Sequence, residues 1–290
     1  MRHAIYYEDH RRVGRNDGSP LYFWNVLKNQ MGLDVTHLLP DPRTLAQFGK
    51  FDVNWWVDYG EDALQSMMDY KPIRCPSKSI YVTSDTHLGF DYRLSKATEF
   101  DHVFCNQKRA VEEFALAGVK ATWMPHAFEP KAYPKKLCVP KYDICFVGHV
   151  NSANRIDFLD RMFKEFPNFF FGKRLFEDAA DVFSKSKIVL NVSIKDDVNM
   201  RVFETLGSGN FLLTNWLPTL GELFEDGKHL VTYKTHDEAV EKAHYYLKND
   251  AAREKIALAG YNEAISKHTY KHRVESIMEH AGIKEAVTCP

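Results

Sequence analysis

The 290-residue chain is poor in cysteine and has no cysteine pattern: Cys75, Cys105, Cys138, Cys145 and Cys289 are odd in number, widely spaced and free of any CxxC pair. Neither a disulfide framework nor a zinc knuckle is encoded, and the five read as cytosolic thiols. A run of about 18 apolar residues is also lacking, which excludes a membrane-spanning helix by sequence. The opening MRHAIYYEDHRR holds too short an apolar stretch for a signal peptide, so the expected location is the cytoplasm. An excess of one charge is absent as well. The 38 basic residues are balanced by 39 acidic ones, a net charge of −1, which argues against the broad electrostatic footprint of a non-specific nucleic-acid or membrane binder. There is no internal repeat, no low-complexity tract and no DxD motif placed to bind a divalent ion. Asp196 and Asp197 are adjacent and would point to opposite sides of an extended backbone. No metal site and no required cofactor are therefore expected.

What the chain does have is apolar substance, 44% of its residues, enough for one large or two ordinary domains. Short apolar or β-branched runs alternate with helical patterns: HAIYY, DVTHLL, FDVNWWV, KSIYVT, DHVFC and VKATWM, then YDICFVG, NFFFG, KIVLNVS, NFLLTN and KHLVTY. That alternation predicts α/β architecture with parallel sheets wrapped by helices. Asn106 is placed to cap the helix QKRAVEEFALAG, which Gly118 stops. Four prolines within PHAFEPKAYPKKLCVP, residues 125–140, disfavour regular structure and predict a connection between two Rossmann-like halves. The expected division is 1–138, 139–268 and a C-terminal helix, 269–290, that crosses back to the first domain.

Chemistry is concentrated at expected strand ends. In FVGH a strand closes on Gly148 and His149, and backbone amides at such a strand-to-helix turn favour anions. After KIVLNVS comes DDVNMRVFETLGSG, residues 196–209, where Arg201 and Glu204 share a helical face. Arg201 is suited to phosphate and Glu204 to a ribose diol; the plain alternative is an ion pair on a solvated face. Asp85 and His87 follow KSIYVT, where they could serve as base or orient a hydroxyl, or else cap the next helix. His126 follows the last strand of the first half. The loop 8–20 holds Arg11, Arg12 and Arg15, either over phosphates or an acceptor or as a solvated charged loop. Trp55, Trp56, Tyr59 and Tyr81 cluster in the first half; Trp55 and Trp56 lie in an apolar run and read as core.

The stretches CFVGH…R (145–155), NMRVFETLGSGNFLLTN (199–215), LGELFEDGKHLVTY (220–233) and HTYKHR (268–273) resemble the CgeB-like (spore maturation protein) glycosyltransferases, which are similar to the large retaining GT-B group. IYVTSDTHLGFDYRL and WMPHAFEP extend the resemblance into the first half. It implies a GT-B fold, two Rossmann-like domains facing a central cleft, with a nucleotide-diphosphate sugar as donor in the second and an acceptor in the first. It further implies donor contacts from Gly148, His149, Arg155, Asn199, Arg201, Glu204 and Gly207. Asp196 stands eight positions before Glu204, where the wider group has a glutamate touching the donor sugar; Asp85, His87 and Asp196 are thus the catalytic candidates. The expected activity is metal-independent hexosyl transfer to an acceptor hydroxyl on a glycan, protein or small molecule. Two alternatives are transfer to hydroxylated bases in DNA, with Arg11, Arg12 and Arg15 on phosphate, and a non-catalytic nucleotide-sugar or glycan-binding protein.

Overall fold

A computed structural model describes residues 1–7, 18–58, 74–150, 153–172, 177–194 and 197–284. The chain divides into two compact units, Met1–Pro125 with Tyr270–Pro290, and His126–Thr269. Among the described residues no helix is long and apolar enough to cross a membrane, and the four described cysteines are free.

In the first unit the six apolar runs become β1 (Arg2–Tyr6), β2 (Asp34–Leu38), β3 (Val53–Val57), β4 (Lys78–Thr83), β5 (His102–Cys105) and β6 (Ala121–Trp123), in the order β2-β1-β3-β4-β5-β6. Every pairing is parallel. Strands covered by helices on both faces cannot alternate, which is why β3 is buried at all five positions and β4 at five of six. The helices are α1 (Ser19–Asn25), α2 (Pro42–Leu45), α3 (Phe90–Ala97) and α4 (Lys108–Leu116), joined by the later helix Tyr270–His280. That helix seats Tyr270 against Tyr22 and Phe23, and its hydroxyl meets Ser19 Oγ at 2.8 Å. Asn106, expected to cap α4, does not: Gln107 holds the cap position without a side-chain bond. Asn106 Nδ2 instead donates to Met124 O at 2.8 Å, tying β5 to the end of β6. Gly118 follows α4 with φ +79°, the left-handed stop its sequence position suggests.

The second unit builds β7 (Tyr142–Val147), β8 (Phe169–Gly172), β9 (Ser186–Asn191), β10 (Leu212–Asn215) and β11 (Val231–Tyr233), ordered β11-β10-β9-β7-β8 and again parallel throughout. Around them lie α5 (Ala153–Glu165), α6 (Glu177–Ser184), α7 (Met200–Gly207), α8 (His236–Lys248) and α9 (Asp250–Lys267). Residues of β9 alternate between two cores. Val189 joins Val202, Phe203 and Leu206 of α7 on one face, while Ile188 and Leu190 join Phe158, Phe211 and Ile256 on the other. Gly207, closing α7, lies so near Phe128 that a Cβ there would fall 2.3 Å from the ring.

A charged cluster is sealed inside the first unit. Asp58, just past β3, takes hydrogen bonds from Thr83 Oγ1 (3.1 Å), Trp56 Nε1 (3.2 Å) and the Tyr81 hydroxyl. It faces Arg93 Nε at 4.0 Å and Lys96 Nζ at 3.9 Å, both on α3 and both essentially unexposed. Burial pushes the Lys96 pKa down to about 8, against the attraction of Asp58 and helped by the charge of Arg93.

The unfolded chain holds the Lys96 proton up to about pH 10.4, whereas the folded chain releases it near 8. Lys96 therefore carries a penalty below pH 8 that is relieved as pH rises. Wild type should gain roughly 2 kcal/mol relative to Lys96→Met between pH 7.5 and 9.5, read from urea midpoints at both values; a pH-independent difference would contradict the depressed pKa. Gly207→Ala should cost about 1–3 kcal/mol by overpacking against Phe128 and lower Tm accordingly.

Candidate functional site

In an open parallel sheet, ligands sit beyond the carboxyl ends of the strands where the order reverses. In the second unit that point lies between β7 and β9, and Gly148 and the polar segment after β9 converge there. Gly148 does not offer its amide, which donates to Gly172 O at 3.1 Å. Its contribution is space: a Cβ would press on the Phe146 ring at 3.3 Å and come within 3.9 Å of Arg201 Nη1. His149 is exposed at the side chain. Its carbonyl accepts Arg155 Nη1 at 2.7 Å, and Arg155 Nη2 donates to Val192 O. One guanidinium thereby ties the end of β7 to the end of β9.

Arg155 is 8% exposed, with Nε buried and without a hydrogen bond. Burial lowers its pKa, and the nearby charge of Arg201 lowers it further, opposed by Tyr233. The fold thus brings two guanidiniums together, one of them desolvated. Such a pair repels itself unless an anion lies beside it.

Beyond β9 a chain of amide and hydroxyl groups fixes the backbone. Asn191 Nδ2 donates to Thr214 Oγ1 (3.0 Å) and Ser193 Oγ (3.2 Å), Ser193 N donates to Asn215 Oδ1 (2.7 Å), and Asn199 Nδ2 donates to Asn191 Oδ1 (3.3 Å). Asn199 stands at the cap position of α7 without a side-chain capping bond, its Oδ1 buried and unpartnered. Asn191, Ser193 and Asn215 were not singled out in the sequence. Their one sequence signal is that two neighbouring apolar runs, KIVLN and FLLTN, each close on asparagine.

Arg201 and Glu204 do not form a solvated surface pair. Glu204 is 5% exposed and accepts Arg201 Nε at 3.1 Å. The Arg201 guanidinium carbon stands 5.5 Å from the Phe183 ring centroid, and its Nη1 end overlooks Gly148. A buried carboxylate here aligns the cation while keeping a second oxygen for a hydroxyl donor. Gly207 is at the far end of α7, about 9 Å along the axis from Arg201, with its Cα against Phe128.

Asp85 and His87 lie in the turn after β4 in the first unit, Asp85 half-buried with left-handed φ 50° and His87 exposed. His126 opens the second unit and is 7% exposed. Asp196, Arg11, Arg12 and Arg15 lie outside the described residues. Among the described residues no three His, Cys, Asp or Glu side chains gather as a metal site.

Comparison with known proteins bears on this geometry. No curated protein matches by sequence. Among solved structures, Anabaena HepE in complex with UDP-glucose superposes with TM-score 0.65 at 12% identity, covering 97% of this chain and 99% of that one. T4 phage β-glucosyltransferase gives 0.65 at 16% identity over 97% and 99%. Sucrose-phosphate synthase from Thermosynechococcus elongatus gives 0.63 at 9% over 97% and 98%. At these identities the likeness establishes the fold, GT-B, with its two parallel-sheet α/β domains. The profile of the glycosyl transferase-like family matches residues 130–279, just over half of the chain. This stretch includes β7, β9, Arg155, Arg201 and Glu204, and the chain belongs to the glycosyl transferase-like family.

Proposed function

We propose that the chain transfers a hexose from a UDP-sugar to an acceptor hydroxyl without a metal ion. The observation that carries this reading is the pair Arg155 and Arg201 at the strand-order reversal of the second unit, with buried Glu204 bonded to Arg201. As the glycosidic bond to the diphosphate breaks, negative charge grows on the leaving group, and preorganised cations in a partly desolvated site stabilise it. Arg201 is assigned to the diphosphate, with Arg155 adding field from behind. Glu204 accepts the ribose diol, and Gly148 leaves room for the phosphates to approach. Asn199 supplies its unpartnered Oδ1 to the donor, and Asp196 meets the donor sugar. HepE, crystallised with UDP-glucose, supports uridine and a hexose.

In the first unit Asp85 and His87 are assigned to the acceptor hydroxyl, Asp85 as base and His87 as its hydrogen-bonding partner. The motif NMRVFETLGSGNFLLTN resembles the CgeB-like glycosyltransferases and supports assigning the chain to that branch. The protein is expected to act in the cytoplasm.

The test is a thermal-shift and hydrolysis screen against UDP-, GDP-, dTDP- and ADP-sugars. UDP-glucose should raise Tm, and the rise should continue with the logarithm of its concentration above Kd. Arg201→Ala and Glu204→Gln should each weaken UDP binding about 10- to 100-fold, the loss of one charge-assisted hydrogen bond. EDTA should leave turnover unchanged. Silence toward every donor would sink the reading, and loss of turnover in EDTA would remove its metal-free part.

A further inference from the structure

Asp85 is the one non-glycine residue with positive φ among the described residues, at φ 50° and ψ 39°. Aspartate tolerates this region better than most residues, yet the conformation costs on the order of 1 kcal/mol and persists only where its surroundings impose it. Those surroundings are specific. Asp85 lies in the turn 84–89 between β4 and α3, and one guanidinium grips both ends of that turn. Arg93 Nε donates to Ser84 O at 2.7 Å, and Arg93 Nη1 donates to Gly89 O at 3.2 Å. A Cβ on residue 89 would meet Arg93 Nη1 at 3.2 Å, so glycine there lets the guanidinium in. The middle of the turn is tied to the start of α4, since Thr86 N and Oγ1 both donate to Gln107 Oε1, at 3.3 and 3.2 Å.

Arg93 is fully buried, and its own position is set by Asp58 at the end of β3. Asp58 is in turn pinned by Trp56, Tyr81 and Thr83. A buried ion cluster of this kind is expensive compared with an apolar core of equal volume. Packing α3 onto the sheet needs no arginine, so packing alone leaves the choice unexplained. What a leucine could not do is hold the Ser84 and Gly89 carbonyls at once.

We infer that Arg93, oriented by Asp58, is a positioning residue that fixes the Asp85–His87 turn for proton transfer from the acceptor hydroxyl. This rests on the acceptor-side role assigned above to Asp85 and His87. It predicts that disturbing the clamp impairs turnover while the donor site, built wholly in the other unit, keeps its affinity.

The experiment compares wild type, Arg93→Lys and Asp58→Asn in the full-length protein. Amide hydrogen exchange is followed at Asp85, Thr86 and His87 and in β3, β4 and β5. Kinetics are followed with UDP-glucose and water as acceptor. Lysine keeps the charge but cannot span two carbonyls. Arg93→Lys should therefore speed exchange in the turn at least tenfold, leave strand protection intact, and lower kcat tenfold or more with KM for UDP-glucose within about twofold. Asp58→Asn, which keeps the shape but loses the charge that orients Arg93, should move the same quantities in the same direction by less. Unchanged turn exchange would overturn the inference. So would loss of protection spread over β3 to β5 with KM rising alongside, which is the mark of a core defect. If wild type does not turn over UDP-glucose, the assignment of that donor fails by that result, and the exchange data still decide whether Arg93 holds the turn.

Discussion

Parallel pairing is the constraint from which the rest follows. When every strand of a sheet runs the same way, all carboxyl ends emerge at one edge, and each chain return must be made by a crossover on a face. Both sheets obey this without exception among the described strands, and both reverse order beside their first strand, β1 in one and β7 in the other. At a reversal the two crossovers leave in opposite directions and open a crevice. Polar side chains collect there because nothing apolar covers the strand ends and the last carbonyls and amides need partners.

How each unit satisfies those partners is the same in kind. In the second, Arg155 from α5 donates to His149 O and Val192 O; in the first, Arg93 from α3 donates to Ser84 O and Gly89 O. A guanidinium suits this because its planar fork presents several donors in fixed directions and remains charged when desolvated. The two differ in what surrounds them. Arg93 meets a carboxylate, Asp58, and a second cation, Lys96, in a sealed cluster. Arg155 meets another cation, Arg201, whose own carboxylate partner is Glu204. Each cluster sets one carboxylate against two cations, but the first is sealed within the core whereas the second lies at the strand-order reversal.

Much of the fold was legible in the sequence because its signals are local. Runs such as KSIYVT and KIVLNVS are short, β-branched and bounded by polar residues, and they form β4 and β9. Burial on both faces erased the alternation that would have told inside from outside, so length and boundaries were the usable information. Asn106 shows where a local rule loses to tertiary structure: its amide gains more by bridging to Met124 O than by capping α4. The Asp58, Arg93 and Lys96 cluster was not legible at all. Nothing within FDYRLSKATEF announces a carboxylate that stands 35 residues before Arg93 on a neighbouring strand end.

Arg201 and Glu204 mark the boundary between those two cases. Their i, i+3 spacing was visible and fixes that they share a face, but a shared face is equally consistent with a weak surface ion pair. What separates the readings is burial, and burial is a property of the sheet order. Because β9 lies between β7 and β10, the first turn of α7 comes down over the reversal instead of over an open edge. Glu204 is then shielded to 5% exposure, with Arg201 turned over Gly148. The same two residues after an edge strand would have been solvated and energetically nearly silent. Strand order, which no window of sequence encodes, is thus what converts an ordinary helical ion pair into a buried one beside the end of β7.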